Sequence, residues 1–311
     1  MAFTMSDVIL DANAPSERTI HQITNISHSQ NAELVNAVAT GAASPAAFFI
    51  GNTSPVTQVT STDSTLLTLS SNLWLSRGYC AEAGIADLNH ATVVPFNERA
   101  NCAVFNAANV HAAFGGRHTM VVPTSMSGTR AEAIEFQLDL RYLSLDPFLP
   151  PNTILNAQAL SASSFAQASQ FAGAYIGGVE IAEAIGFTYT PNFTILAEPV
   201  QGGNYPTVGY ISEVSAQVEI QTENLNESLA VLNGVDLGAG LTIYLATKKV
   251  GAVIEPKTSP VHASITALNG IRQTSQITSQ QGQNGQGTIQ INLASPSGGD
   301  AVTVATGITL P

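Results

Sequence analysis

The sequence predicts a mainly β chain with a few short helices, built as a β-sandwich or barrel subunit, and three observations carry that expectation. The first is Val208 to Gln221. Val208, Tyr210, Ser212, Val214, Ala216, Val218 and Ile220 alternate there with Gly209, Ile211, Glu213, Ser215, Gln217, Glu219 and Gln221. Period-two alternation places one set on each face of a strand. At roughly 3.3 Å per residue, one strand of that length reaches on the order of 40 Å. The second is Ile134, Phe136, Leu138, Leu140 and Tyr142, which alternate with Glu135, Gln137, Asp139 and Arg141 and predict a long strand near 131–143. The third is a series of short β-branched and aromatic runs set between Gly and Pro breakers. Two long half-wet strands suit a large sheet with one face on a core and the other in water.

Taken in order, residues 1–19 are polar and patternless and read as a flexible arm. Ile20, Ile23 and Ile26 open an extended segment. Asn31 to Gly41 places Leu34, Val35 and Val38 on one side and predicts a short helix stopped at Gly41. Val56 to Leu69 reads as strand, interrupted near Asp63, and Leu73 to Leu75 carries the single tryptophan. Thr92 to Phe96, Cys102 to Phe105 and Thr119 to Val122 are short strand candidates, and Ser125 to Thr129 reads as the turn into the 131–143 strand. Asn152 to Ala172 predicts a helix or a loop carrying one, and Val179 to Leu196 returns to strand-like content. Leu225, Leu229 and Leu232 stand three to four apart with Gly234 beyond them, which predicts a short helix with a left-handed stop. Leu241, Ile243 and Leu245, then Val261 to Ala267, alternate as strands, and Asn269-Gly270 reads as a type I′ hairpin turn. Gln273 to Gln290 carries seven glutamines and no charge, which predicts a flexible or partner-ordered loop. Ile289 to Leu293, Val302 and Val304 close the chain. The organisation read from this pass is an arm over 1–19, a β-rich core over 20–260, and a C-terminal unit of hairpin, Gln/Gly-rich loop and closing strands over 261–311.

Composition narrows the function. Charged residues are only 10% of the chain against 44% hydrophobic, so the surface must be mostly Ser, Thr, Asn and Gln. Covering such a surface buries no isolated charge, which suits a protein packed against copies of itself. Twenty-two acids against ten bases give a net charge of −12 without a Lys/Arg cluster, which argues against tight nucleic-acid binding. Cys80 and Cys102 lack CxxC spacing and fit either a disulfide or two buried thiols. The opening residues lack a basic, then apolar, leader pattern, and no apolar run approaches the roughly 18 residues of a membrane span. No GxSxG, HExxH or Walker sequence is present. The six histidines show no ligand spacing, although His111 and His118 would meet if they shared a hairpin. Asp139 and Arg141 share a strand face and predict an ion pair rather than catalysis. The expectation is a non-enzyme with neither catalytic residues nor a bound metal or cofactor.

Ile23 to Ser27, Glu33 to Gly41, Pro45 to Gly51 and Val56 to Asp63 together resemble the opening of tailed-bacteriophage virion proteins of the tail-tube or baseplate kind. The later order of long strand, short helix and strands is similar to tail-tube folds. The resemblance implies a homo-oligomeric ring, of six subunits in that family, located in the virion after synthesis in the host cytoplasm. Its partners would be copies of itself and other virion proteins, with DNA as non-sticking cargo and no membrane. Under that reading Glu135, Asp139, Glu213 and Glu219 line the channel, where a negative lining repels phosphate. Gln280, Gln281, Asn284 and Gln286 make ring-to-ring contacts. A jelly-roll-like capsid or decoration protein and a receptor- or glycan-binding tip module share the same composition and stand as alternatives.

Overall fold

The computed structural model of the chain describes residues 8–10, 18–37, 47–67, 79–82, 92–96, 111–116, 118–158, 168–199, 202–238, 240–248, 254–279, 285–295 and 300–311. Nearly all secondary structure among them is antiparallel β. The largest sheet has ten strands. In spatial order nine of them are β19 (Val235–Asp236), β22 (Asn269–Thr278), β23 (Gln286–Ala294), β18 (Gln217–Thr222), β15 (Ala184–Thr190), β10 (His118–Thr129), β11 (Glu135–Leu143), β6 (Val56–Ser61) and β3 (Ile23–Ser29). The tenth, β7 (Tyr79–Glu82), pairs with the first residues of β10. A five-stranded sheet runs β14 (Val179–Glu180), β13 (Ala168–Ile176), β20 (Leu241–Lys248), β21 (His262–Ala267) and β24 (Val302–Ile308). A second runs β12 (Asn152–Gln158), β9 (His111–Gly116), β8 (Thr92–Phe96), β1 (Val8–Leu10) and β2 (Arg18–Ile20).

The core lies between sheets. Phe136, Leu138, Leu140, Tyr189, Val218, Ile220 and Ile291 of the large sheet form one buried cluster with Phe171, Leu241, Ile243, Leu245 and Ile265 of the first five-stranded sheet. The rings of Phe171 and Phe187 meet across it at 5.4 Å. This is a sandwich arrangement of two facing sheets. Among the described residues the large sheet does not close into a barrel; it ends at β3 on one side and β19 on the other.

The alternation over 134–142 holds: Ile134, Phe136, Leu138, Leu140 and Tyr142 are all buried. The single strand over 208–221 does not. It is two strands in series, β17 (Pro206–Val214) and β18, bent at Ser215-Ala216. Only the second half keeps its dry face, through Ala216, Val218 and Ile220, whereas Val208 and Tyr210 are more than half exposed. The helix expected over 31–41 is a strand, β4 (Ala32–Ala37), paired with β5 (Ala47–Thr53); residues 38–41 lie outside the described residues. Asn152 to Ala172 gives β12 and the start of β13, with 159–167 likewise outside. In both places pairing along the backbone overrode a loose three-to-four spacing. Ser125 to Thr129 belongs to β10, and the turn follows it. Val8, Leu10 and Ile20 are buried, and β1 pairs with β2 and β8, so 8–10 and 18–20 are sheet rather than free arm. Asn269-Gly270 is the start of β22, paired with Ala294 and Leu293. Leu268 there joins two sheets instead of turning a hairpin. The helix α1 (Leu225–Ala230) forms where expected: the Asn224 side chain caps it by accepting from the Asn226 N–H, and Gly234 adopts φ +80°. Leu73 to Leu75 and Cys102 lie outside the described residues.

Two ribbons extend the large sheet. β3 and β6 continue as β4 and β5, so that Ser29↔Val56 is followed by Ala32↔Thr53. β15 and β18 continue as β16 (Phe193–Pro199) and β17, so that Thr190↔Gln217 is followed by Phe193↔Val214. At each junction an asparagine is left-handed: Asn31 at φ 44° and Asn192 at φ 50°. Asparagine tolerates that region better than most residues, and the local reversal of twist lets each ribbon leave the plane of its sheet.

Candidate functional site

The register of the large sheet assembles a broad polar face opposite its core face. Residues directly opposite in an antiparallel pair share a face. Glu135 pairs with Ser127, Ser127 with Thr188, Thr188 with Glu219, Glu219 with Gln290, and Gln290 with Gln273. These six residues form one row across β11, β10, β15, β18, β23 and β22, about 24 Å long at ~4.8 Å per strand. A neighbouring row holds Thr190, Gln217, Asn292 and Ile271. On the other side stand Thr129, Gly186, Gln221, Thr288 and Gln276. Side chains along a strand bond to each other on this face: Gln217 Nε2 donates to Glu219 Oε1 at 3.1 Å, and Gln290 Nε2 to Asn292 Oδ1 at 3.2 Å.

The channel-lining expectation divides here. Glu135 and Glu219 stand in the same row, three strands apart. Asp139 is on the same face but buried, with 7% exposure, and its Oδ2 accepts from Arg141 Nη2 at 3.2 Å. Ribbon β16–β17 lies across that end of the sheet: a Cβ built on Gly209 would stand 3.2 Å from Leu143 Cδ2 and 3.5 Å from Met120 Sδ. Asp139 therefore serves the ion pair expected of it and faces no open surface. Glu213 is on the ribbon itself, opposite Thr194, away from the row. Of the ring-contact set, Gln286 starts β23 opposite Thr278 and is exposed, while Gln280, Gln281 and Asn284 lie outside the described residues. The flexible loop expected over 273–290 is a paired hairpin for much of its length, because Gln and Thr fit a ladder as well as a coil.

Beside Glu135 the face hollows into an open groove of about 480 Å³, lined by Thr62, Ser127, Thr129, Glu132, Glu135, Thr188 and Gln221. Its only charged lining residues are Glu132 and Glu135, so an anion entering it meets like charge. Among the described residues no three His, Cys, Asp or Glu gather as a metal site, and no helix is long and apolar enough to cross a membrane. His111 and His118 fall on β9 and β10, in different sheets.

The seam at the β3 edge is the most ordered polar cluster. His28 Nδ1 lies 2.9 Å from Thr57 Oγ1, which lies 2.9 Å from the Tyr142 hydroxyl. The amide nitrogens of Gln30 and Asn152 approach His28 Nε2 at 3.2 and 3.3 Å. Amide nitrogens only donate, so this arrangement suits a neutral His28 ring with Nε2 accepting. Burial holds the His28 pKa below its usual value. Burial also pushes the Tyr142 phenol up to about 12, against the opposing pull of its Thr57 hydrogen bond. This series of hydrogen bonds ties β3, β6 and β11 to β12 as a structural pin.

Sequence reasoning missed Ser127, Thr188, Gln273 and Gln290, because row membership follows from register between strands far apart in the chain. It also missed the exposed apolar loop at Leu145, Phe148 and Leu149, whose signal was visible as large apolar residues set among Pro147, Pro150 and Pro151. A scan against protein-family models and a search of curated proteins each returned no match for the chain.

Proposed function

We propose that the protein is a non-enzymatic virion structural subunit that self-assembles into a ring of the tail-tube or baseplate kind, with the polar face of its large sheet lining a conduit for DNA. The observation that carries this reading is the row from Glu135 to Gln273. It is a wide face of hydroxyls and amides with two carboxylates, Glu135 and Glu219, while the guanidiniums of Arg141 and Arg130 are engaged by Asp139 and Glu180. Amides and hydroxyls hold water and offer a passing polyanion no cationic attraction. The carboxylates add repulsion within about 8 Å at physiological salt. The sheet edges support the same reading. β3 (ITNISHS) carries no Lys, Pro or acidic residue, the usual guards of a free edge, whereas the outer edge of β22 is covered at Thr274, whose N–H donates to the Val231 carbonyl just past α1. Edges that differ from each other pair head to tail, which closes a ring when the rotation allows.

The test uses assembled rings and short duplex DNA. Wild-type rings should not retain the duplex. The pair Glu135→Lys and Glu219→Lys should retain it with an affinity that falls steeply with salt. Rings of the double variant that still ignore DNA would remove the row from the channel.

A further inference from the structure

The five-stranded sheet that meets the large sheet across the core ends in a strand without a guard. β24 pairs with β21 and, among the described residues, with no second strand. Its sequence, VTVATGI, holds no Lys, Pro or acidic residue, and Thr303, Ala305 and Thr306 are exposed. Val302 is buried and Val304 packs against the core, so its inner face is already committed. β3 ends the large sheet in the same condition. Among the described strands it pairs with β6; Asn25, Ser27 and Ser29 are exposed, and Ile23 and Ile26 pack on the core. Both strands have seven residues. Such an edge fits one chemical class of partner, an extended chain that adds as a further strand.

The other sheet ends suit that partner less well. β22 is covered at Thr274 by the Val231 carbonyl. β14 and β19 have two residues each, one of them acidic, Glu180 and Asp236. β2 has three residues, Arg18 among them. β12 follows Pro150 and Pro151 and begins against β3, where Asn152 meets His28, so it crowds the same side of the molecule. β24 stands at the far side. Leu268 alone joins β21 to β22, and Val302 of β24 pairs with Ala267 beside that link. β22 lies seven strand spacings from β3, roughly 34 Å at ~4.8 Å each. One copy thus presents two different unguarded edges on opposite sides, which is the geometry of a head-to-tail contact.

Charge sets the direction of the pairing. The strands behind the two edges, β6 (VTQVTS) and β21 (HASITA), hold no Lys, Arg, Asp or Glu. Past the end of β3 stands Glu33, exposed, and ahead of β24 stands Asp300, also exposed. Past the end of β24, Lys257 Nζ donates to the Pro311 carbonyl. Antiparallel pairing would bring Glu33 toward Asp300, like to like; parallel pairing brings it toward Lys257.

We propose that β24 of one copy adds in parallel to β3 of the next, so that the five-stranded sheet of each copy continues into the large sheet of its neighbour. The contact rests on the assembly reading above, since a monomer has no second edge to offer.

The experiment mixes two chains, each with Cys80 and Cys102 replaced by Ser, one carrying Thr303→Cys and the other Asn25→Cys or Ser29→Cys. Oxidation should cross-link Thr303→Cys to Asn25→Cys, not to Ser29→Cys, and should leave each chain alone uncross-linked. In the chain with its natural cysteines, Ala305→Lys puts a charged guard on an exposed edge position. It should leave the thermal unfolding midpoint unchanged and raise the concentration needed for assembly at least tenfold. Rings that form without the Asn25–Thr303 link, rings that link Ser29 to Thr303 instead, or rings of Ala305→Lys at the wild-type concentration would overturn this contact and leave the ring standing. A chain that stays monomeric at every concentration would overturn both.

Discussion

Ribbons β4–β5 and β16–β17 share one construction and differ in fate. Each prolongs a strand pair of the large sheet past a left-handed asparagine, and each pairs only with itself among the described residues. β16–β17 lies back over the sheet, seated at Gly209 on Leu143 and Met120, with hydrogen bonds from Ser144 to Pro206 and from Asn204 to Pro147. The backbone bond from the Thr53 N–H to the Asn204 carbonyl is the contact between the two ribbons, at the root of β4–β5. One ribbon is thus seated on the large sheet of its own chain, and the other, among the described residues, pairs only strand to strand within itself.

The largest expected effect tests the cover. Asp139→Ala strips the partner from Arg141, whose Nε is already buried without a hydrogen bond. Because the Arg141 side chain keeps 33% exposure, the cost should be about 2 kcal/mol rather than that of a fully buried pair. Urea unfolding measures it, and a loss below about 0.5 kcal/mol would mean that β16–β17 does not seal this pair. Next, Asn192→Ala places a less tolerant residue at φ 50° and should cost about 1 kcal/mol, whereas Asn192→Gly should be near neutral. Equal losses for both would remove backbone strain from the account of the bend. Tyr142→Phe should cost about 1 kcal/mol by leaving Thr57 one partner short, read again by urea unfolding.

The fourth expectation concerns pH at the root of β4–β5. The folded-state pKa of His28 is lowered by burial, so the fold favours the neutral ring. That contribution is fully present above the unfolded value of about 6.5 and is lost as pH falls through the lowered folded value. Between pH 7.5 and 5 the wild-type unfolding temperature should therefore drop more than that of His28→Gln. Parallel curves would show that the pin does not respond to protons. Amide exchange sharpens the contrast itself: β16–β17 should exchange at least tenfold more slowly than β4–β5 in the isolated chain.

Much of the fold was readable where a strand has one dry side. Phe136, Leu138 and Leu140, or Leu241, Ile243 and Leu245, alternate because one sheet face is buried, and that constraint writes itself into neighbouring residues. The ribbons escaped because their local patterns do not mark a continuous dry face. Leu34 and Val35 mimic a helical stripe, and Val208 and Tyr210 continue an alternation whose dry side has changed by the time it reaches Val218. Glu135 and Glu219 were found as wet-face acids, but their common row depends on pairings from Ser127 to Thr188 to Glu219, which no local pattern encodes. Asp139 follows the same local rule as Glu135 but is buried, at an end of the sheet where a ribbon from 70 residues later in the chain packs at Gly209 on Leu143 and Met120.

The central claim is that copies of this chain join into a hollow ring with the Glu135–Gln273 row facing the hole. Negative-stain electron microscopy of the purified protein across a concentration series tests it directly. The account predicts closed rings, or stacks of them, with a central pore that appear as concentration rises. Small discrete particles at every concentration, or closed shells in place of rings, would contradict it.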